Sequence, residues 1–241
     1  MSLSTLHGEV YGKFLIIMFR NFVAILLEPL SYVLFSIAFL IRTGIEKQVK
    51  VKVLLIYYLL AAASFSYAGW LVFKNQNNNW IYNLLYLPAV VAICYYFHET
   101  FYSRRKKTIV KFFIALNVIY FVVRIMLFDK MVVIDSFGYS LLSISVSFLS
   151  FVYFYQLLKH VNEYKVWANF DFWLISAYLL YFLGSFFIFL LYSNLTYNIL
   201  ATYTLEQRIL LSVLWGVHNV LLFLSSVITL VSSLWITYRN R

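Results

Sequence analysis

Residues 22–41 read FVAILLEPLSYVLFSIAFLI, residues 42–52 RTGIEKQVKVK and residues 53–73 VLLIYYLLAAASFSYAGWLVF. Two apolar runs flank a short basic gap, and each run supplies the roughly 20 residues that an α-helix needs to cross a hydrocarbon core. The pattern recurs along the chain. Further apolar runs cover 81–98, 109–128, 132–158, 171–192 and 209–236. The runs are continuous rather than alternating in period two, which selects helices over a β-barrel. The expected fold is therefore all-α: one polytopic membrane domain over residues 1–241, a seven-transmembrane-helix bundle with short loops.

Composition agrees. The chain is 63% hydrophobic and 12% charged, with a mean hydropathy of +0.84, whereas soluble domains carry about 25% charged residues. Its 21 tyrosines and six tryptophans supply interface anchors and packed interior rings. Residues 14–18 are apolar but end at Arg20 and Asn21, which reads as a short interfacial helix before the first span. No cleavable signal peptide is expected, because the run from Phe22 lacks a small-residue cleavage site. Cys94 is the single cysteine, so no internal disulfide can form.

Basic residues fall mainly in every second gap. Arg42, Lys47, Lys50, Lys52, Arg104, Arg105, Lys106, Lys107, Lys111, Lys159, Lys165, Arg239 and Arg241 lie on one side. Lys13, Arg20, Lys74, Arg124, Lys130 and Arg208 lie on the other. Lys and Arg are retained on the cytoplasmic side during insertion, so thirteen against six predicts an outside N-terminus and a cytoplasmic C-terminus. The formal net charge of +10 is then a topology signal. Nucleic-acid binding is not expected, since no soluble basic surface is left to dock a duplex. The run Arg104-Arg105-Lys106-Lys107 has two readings, attraction to anionic lipid and docking of a cytoplasmic partner.

Ionisable groups inside a bilayer are costly and point by default to a function and a partner. At 1.5 Å per residue, Glu28 lies roughly 9 Å below the outer end of the first span. His218, with Asn219 beside it, lies roughly 13 Å below the outer end of the seventh. Arg124 and Asp135 face each other across the outer turn between spans four and five, where an ion pair is expected. Asn83, with Asn79, Trp80 and Tyr82, forms the outer approach to span three, and Tyr67 and Trp70 cap span two. Glu28, His218, Asn219, Tyr67, Asn83, Arg124 and Asp135 are thus the candidate lining of an outward-facing polar pocket. The inner half of the bundle is expected to hold almost no polar group besides Asn117. Spans one and seven are often neighbours in seven-helix bundles, so a Glu28–His218 contact is expected. Two meanings stay open for it: a satisfied pair that fixes helix register, or a pocket that takes a ligand or a proton.

Catalytic and metal motifs are missing. His98 and His160 fall at cytoplasmic ends and His218 in the outer half, which precludes a three-histidine metal site. There is no H-E-x-x-H, G-x-S-x-G or P-loop. Ser185 and His218 share a depth, but Leu183-Gly184-Ser185-Phe186 lacks the second glycine that frames an exposed nucleophile, so a small-residue packing notch is expected. No catalytic residue, metal or cofactor is assigned. Of the aromatics on spans five and six, Phe148, Phe151, Tyr153, Phe154, Phe186, Phe187 and Phe189 are expected to face lipid.

Several segments together resemble a family. Asn78-Asn79-Trp80-Ile81-Tyr82-Asn83 leading to Pro88, Phe172-Trp173-Leu174-Ile175 with Tyr181-Phe182-Leu183-Gly184-Ser185-Phe186, and Trp215 to Asn219 resemble spans three, six and seven of small seven-span proteins widespread in Bacteroidota. Some such proteins are encoded beside sensor histidine kinases. The resemblance implies a bacterial inner-membrane protein with a sensory or regulatory role and a cytoplasmic or membrane signalling partner. It also implies a carboxylate soon after the span-three proline, where this chain has Ala89 and Val90. The expected function is receptor-like, with a small-molecule transporter or a structural subunit of a larger membrane complex as the alternatives.

Overall fold

The computed structural model describes residues 26–46, 48–74, 76–127, 134–159, 166–197 and 205–239. They form helices α1 (Leu26–Ile45), α2 (Val49–Phe73), α3 (Asn79–Thr100), α4 (Arg104–Leu127), α5 (Ser136–Lys159), α6 (Phe170–Tyr197) and α7 (Leu205–Arg239). Each of the seven contains a segment long and apolar enough to cross a membrane, and no strand occurs among the described residues. In hydrocarbon each backbone N–H and C=O must be satisfied within the protein, and a helix does this within itself. The chain is a multi-pass, all-helical membrane protein. The interfacial helix expected over residues 14–18 lies outside the described residues, as do Lys13, Arg20, Lys130, His160 and Lys165.

Helix ends depart from the apolar runs at the basic turns. α2 begins at Val49 and α4 at Arg104, so Lys50, Lys52 and the whole Arg104–Lys107 run lie on helices rather than in gaps. The backbone hydrogen-bond ladder does not stop where the apolar run stops, and only Phe101–Ser103 separate α3 from α4. Helices alternate in direction, which gives the bundle two ends. One holds Glu28, Tyr82, Asp135 and His218. The other holds Arg42, Lys50, Thr100 and Asp171.

The core lies around α3, where 67% of the span is buried, against 11% for α4 at the periphery. α6 packs along both α5 and α7, and α3 touches α2, α4 and α5. Aromatic rings join α1 to α2: Tyr32 stacks on Phe65 at 4.7 Å and Phe35 on Tyr58 at 4.4 Å between centroids. Stacked and edge-on rings add about 0.5–1.5 kcal/mol beyond the area they bury. Ser233 of α7 donates to the Ala38 carbonyl at 3.0 Å and closes the bundle against α1.

Small residues set the closest approaches. A Cβ at Gly184 would lie 2.6 Å from Leu221 Cδ1, which marks the tight α6–α7 crossing and bears out the packing-notch expectation there. The aromatics expected to face lipid divide. Phe148, Phe151 and Phe187 are exposed, but Tyr153 and Phe189 are buried. Depth along a helix can be counted from sequence. Direction around it cannot, when the helix is apolar on every side.

Candidate functional site

The site begins at the entry to α3. Asn77 Oδ1 accepts the Asn79 backbone N–H at 2.8 Å, satisfying one of the free donors at the start of the helix. This anchored turn places Tyr82 inside the bundle. Its hydroxyl donates to Glu28 Oε2 of α1 at 2.7 Å, and its carbonyl accepts the Tyr139 hydroxyl of α5 at 2.7 Å. Its ring lies 4.9 Å from Phe65 of α2 and 5.4 Å from Trp215 of α7. One residue of α3 therefore touches four other helices. Sequence reading placed Tyr82 on the approach to span three and missed this role. In a chain with 21 tyrosines, nothing local marks one of them as a hub.

Glu28 is buried, and Tyr82 is its hydrogen-bond donor. His218 is also buried, with Ser185 Oγ 3.2 Å from Nδ1 and the Tyr181 hydroxyl 3.4 Å from Nε2. The expected direct Glu28–His218 contact does not occur. The two groups are joined instead through rings, Tyr82 against Trp215 and Trp215 against His218 at 5.2 Å. Asn219 is fully buried beside His218.

Ser185 and His218 have the spacing of a nucleophile and its base. Both are buried, and Phe189, Tyr181 and Trp215 wall the imidazole at 4.8, 5.3 and 5.2 Å. The pair joins α6 to α7 as a clasp.

Asn83, Arg124 and Asp135 form a neighbouring cluster. Arg124 Nε lies 3.1 Å from Asp135 Oδ2, as the turn-side ion pair requires, but the carboxylate is buried rather than at the outer surface. Asp135 Oδ1 accepts from Tyr120 at 2.7 Å and from the Gly138 N–H at 3.0 Å, and Asn83 accepts the Asp135 N–H at 2.9 Å. This cluster ties α4 and the start of α5 to α3. Tyr67 stands apart from the candidate pocket. It is 48% exposed and stacks on Trp70 on the outer face of α2.

The opposite end corrects the expectation of an inner half nearly free of polar groups. Lys50 Nζ is 2.9 Å from Asp171 Oδ2, 3.1 Å from Oδ1 and 3.2 Å from Thr100 Oγ1. Tyr96 also donates to Asp171, and Asn169 caps the start of α6 by accepting the Asp171 N–H at 2.9 Å. A carboxylate in the first turn of a helix is favoured by the macrodipole, and it offsets Lys50 in the first turn of α2. Arg42 is buried nearby, paired with Glu46 and lying 4.9 Å over the Phe170 ring. Asn117, near the middle of α4, is fully buried, accepting from Tyr86 at 2.6 Å and donating to Ser145 at 3.2 Å.

Between the two ends lies a cavity of about 30 Å³, lined by residues of every helix except α4. Tyr32, Tyr57, Tyr58, Tyr139, Tyr178 and Tyr181 all face it. Among the described residues no three His, Cys, Asp or Glu side chains converge on a possible metal ion. No protein-family model, curated protein or solved structure matches the chain.

Proposed function

We propose that this chain is a receptor-like membrane protein that takes its input at Glu28 and Tyr82 and passes it on as a shift of helices at the basic end. The observation that carries this reading is the position of Tyr82, which contacts α1, α2, α5 and α7 at once. A change at the Glu28–Tyr82 bond alters the packing of five helices, because close-packed interiors switch between discrete arrangements rather than deform smoothly. In the orientation we propose, the Glu28 end faces outside and the basic end the cytoplasm of a bacterial inner membrane, following the Lys and Arg asymmetry. Arg104, Arg105, Lys106 and Lys107 then face anionic lipid or a signalling partner. They occupy the first turn of α4, where the macrodipole adds to their mutual repulsion and favours an anionic counter-surface.

The test is a distance measurement across the basic end. Spin labels at Tyr102→Cys and Tyr238→Cys, both exposed positions, in a Cys94→Ala background report separation in nanodiscs by pulsed electron resonance. Glu28→Gln and Tyr82→Phe are expected to shift the distance distribution while the protein stays folded. Folded variants with unchanged distributions would contradict the relay. Transport is the second reading, favoured by the cavity between the two ends, and it predicts uptake by reconstituted vesicles.

A further inference from the structure

At the basic end, the seam between α4 and α5 brings two ammonium groups together. Lys106 of α4 reaches across and donates to Gln156 Oε1 of α5 at 3.0 Å. Gln156 is buried, so its amide is a fixed anchor for the lysine. Three residues further along α5, the exposed Lys159 holds its Nζ 4.7 Å over the ring of Tyr155. Residues three apart on a helix are neighbours, with about 5–6 Å between Cβ atoms. The bond to Gln156 therefore sets Lys106 beside Lys159, close enough for each charge to act on the other.

Both contacts are with uncharged groups. An amide oxygen and a ring face steady an ammonium without cancelling its charge. Each ammonium has three N–H donors, and Lys106 uses one of them on Gln156. The start of α4 adds the positive end of its dipole to the pair. An anion set between the two lysines would relieve their repulsion and accept the remaining donors.

The surface that runs from this pair toward the middle of the bundle is apolar. Phe148, Phe151, Tyr155 and Leu158 recur at helical spacing along α5, and all four are exposed. Phe113 of α4 meets Phe148 at 5.4 Å between ring centroids. That contact crosses the seam roughly 11 Å from the level of Lys106 and Gln156. The exposed Phe112 stands beside it.

Charge and shape together select the occupant. A soluble anion or an acidic protein loop answers the ammonium pair but leaves the apolar strip beside it uncovered. A phospholipid carries a phosphate for the pair and acyl chains for the strip in one molecule. Lysine binds phosphate as a point charge, so two lysines favour a headgroup with net negative charge over a zwitterionic one.

We infer that the α4–α5 seam at the basic end is a binding site for an anionic phospholipid, its phosphate held by Lys106 and Lys159 and its acyl chains laid along Phe148, Phe151 and Tyr155. This deepens the reading of the basic end proposed above, choosing lipid over a protein partner, and rests on that reading in placing this end at a membrane face. It uses no part of the Glu28–Tyr82 relay.

The experiment is fluorescence quenching of the full chain in vesicles, with a fluorophore at Leu158→Cys in a Cys94→Ala background. The quencher is phosphatidylglycerol or phosphatidylcholine bearing a nitroxide near the top of one acyl chain, at equal mole fraction in zwitterionic lipid. Each basic residue near the surface is worth about fivefold in local anionic lipid. The labelled chain is therefore expected to enrich phosphatidylglycerol over phosphatidylcholine about tenfold or more. Lys106→Gln with Lys159→Gln is expected to bring the ratio near parity, and Lys106→Arg with Lys159→Arg to keep it. Arg104→Gln with Arg105→Gln removes equal charge from the same end and is expected to retain most of the enrichment.

No enrichment in the labelled chain, or enrichment that survives loss of both lysines, would overturn the site. An equal loss in the Arg104 and Arg105 variant would make the effect a diffuse surface field and overturn it too. Displacement by inorganic phosphate would assign the pair to a soluble anion, with the same consequence. The spin-label distance separates this inference from the relay. Enrichment with an unmoved Tyr102–Tyr238 distance in Tyr82→Phe supports the site and overturns the relay. A distance that moves without any enrichment supports the relay and overturns the site.

Discussion

Glu28 and Asp171 stand at opposite ends of one bundle, and their partners differ in kind. Asp171 receives an ammonium from Lys50 and a hydroxyl from Tyr96, and its own backbone N–H donates to Asn169 Oδ1 at the start of α6. Glu28 receives one phenol. The first carboxylate is neutralised in place and joins α2, α3 and α6 as a staple. The second has no basic partner among the described side chains. The same residue chemistry thus serves in an ion-paired staple at one end and as the acceptor of a single phenol at the other.

Asp171→Asn is expected to give the largest loss. It leaves the Lys50 ammonium buried without its counter-charge, and removing one member of such a pair costs about 3–5 kcal/mol. Denaturant unfolding in detergent measures it, and joint replacement by Lys50→Met and Asp171→Leu is expected to recover most of the loss. A neutral Asp171→Asn would break the contrast at its stable end.

Asn117→Leu comes next, at about 2 kcal/mol, because it strands the buried Tyr86 hydroxyl and removes a partner of Ser145. It would show that uncharged mid-helix polarity also acts as a staple. Gly138→Ala is expected to cost about 1–2 kcal/mol, since its Cβ would lie 2.5 Å from Asp135 Oδ2 and 2.9 Å from Tyr120 Cε1. Gly184→Ala meets only the end of the flexible Leu221 side chain, so its effect is smaller, below about 1 kcal/mol. Replacing Arg104 and Arg105 with glutamine is expected to leave stability unchanged. It should weaken binding to anionic vesicles by about 1 kcal/mol per residue, read as a flatter salt dependence.

Sequence made the seven helices legible because apolar runs of that length have one stable form in lipid. Glu28 was legible too, since a carboxylate in such a run is conspicuous, and the Arg124–Asp135 pair followed from the shortness of its turn. The Lys50–Asp171 staple was not. Lys50 reads as one more basic residue in a gap, and only the continuation of α2 through Val49 draws it inside. Tyr67 and Tyr82 both sit at the Glu28 end of their helices, yet one is 48% exposed and the other 7%. Counting residues gives depth, but it takes packed neighbours to give direction.

Unfolding of Glu28→Gln and Asp171→Asn side by side, under one set of conditions, tests the contrast most directly. Glu28→Gln keeps an acceptor for Tyr82 and breaks no ion pair among the described residues, so it is expected to be as stable as the wild type or more so. Asp171→Asn is expected to fall by about 3 kcal/mol or more. A Glu28→Gln loss as large as that of Asp171→Asn would make Glu28 a second staple and contradict its role as the input site.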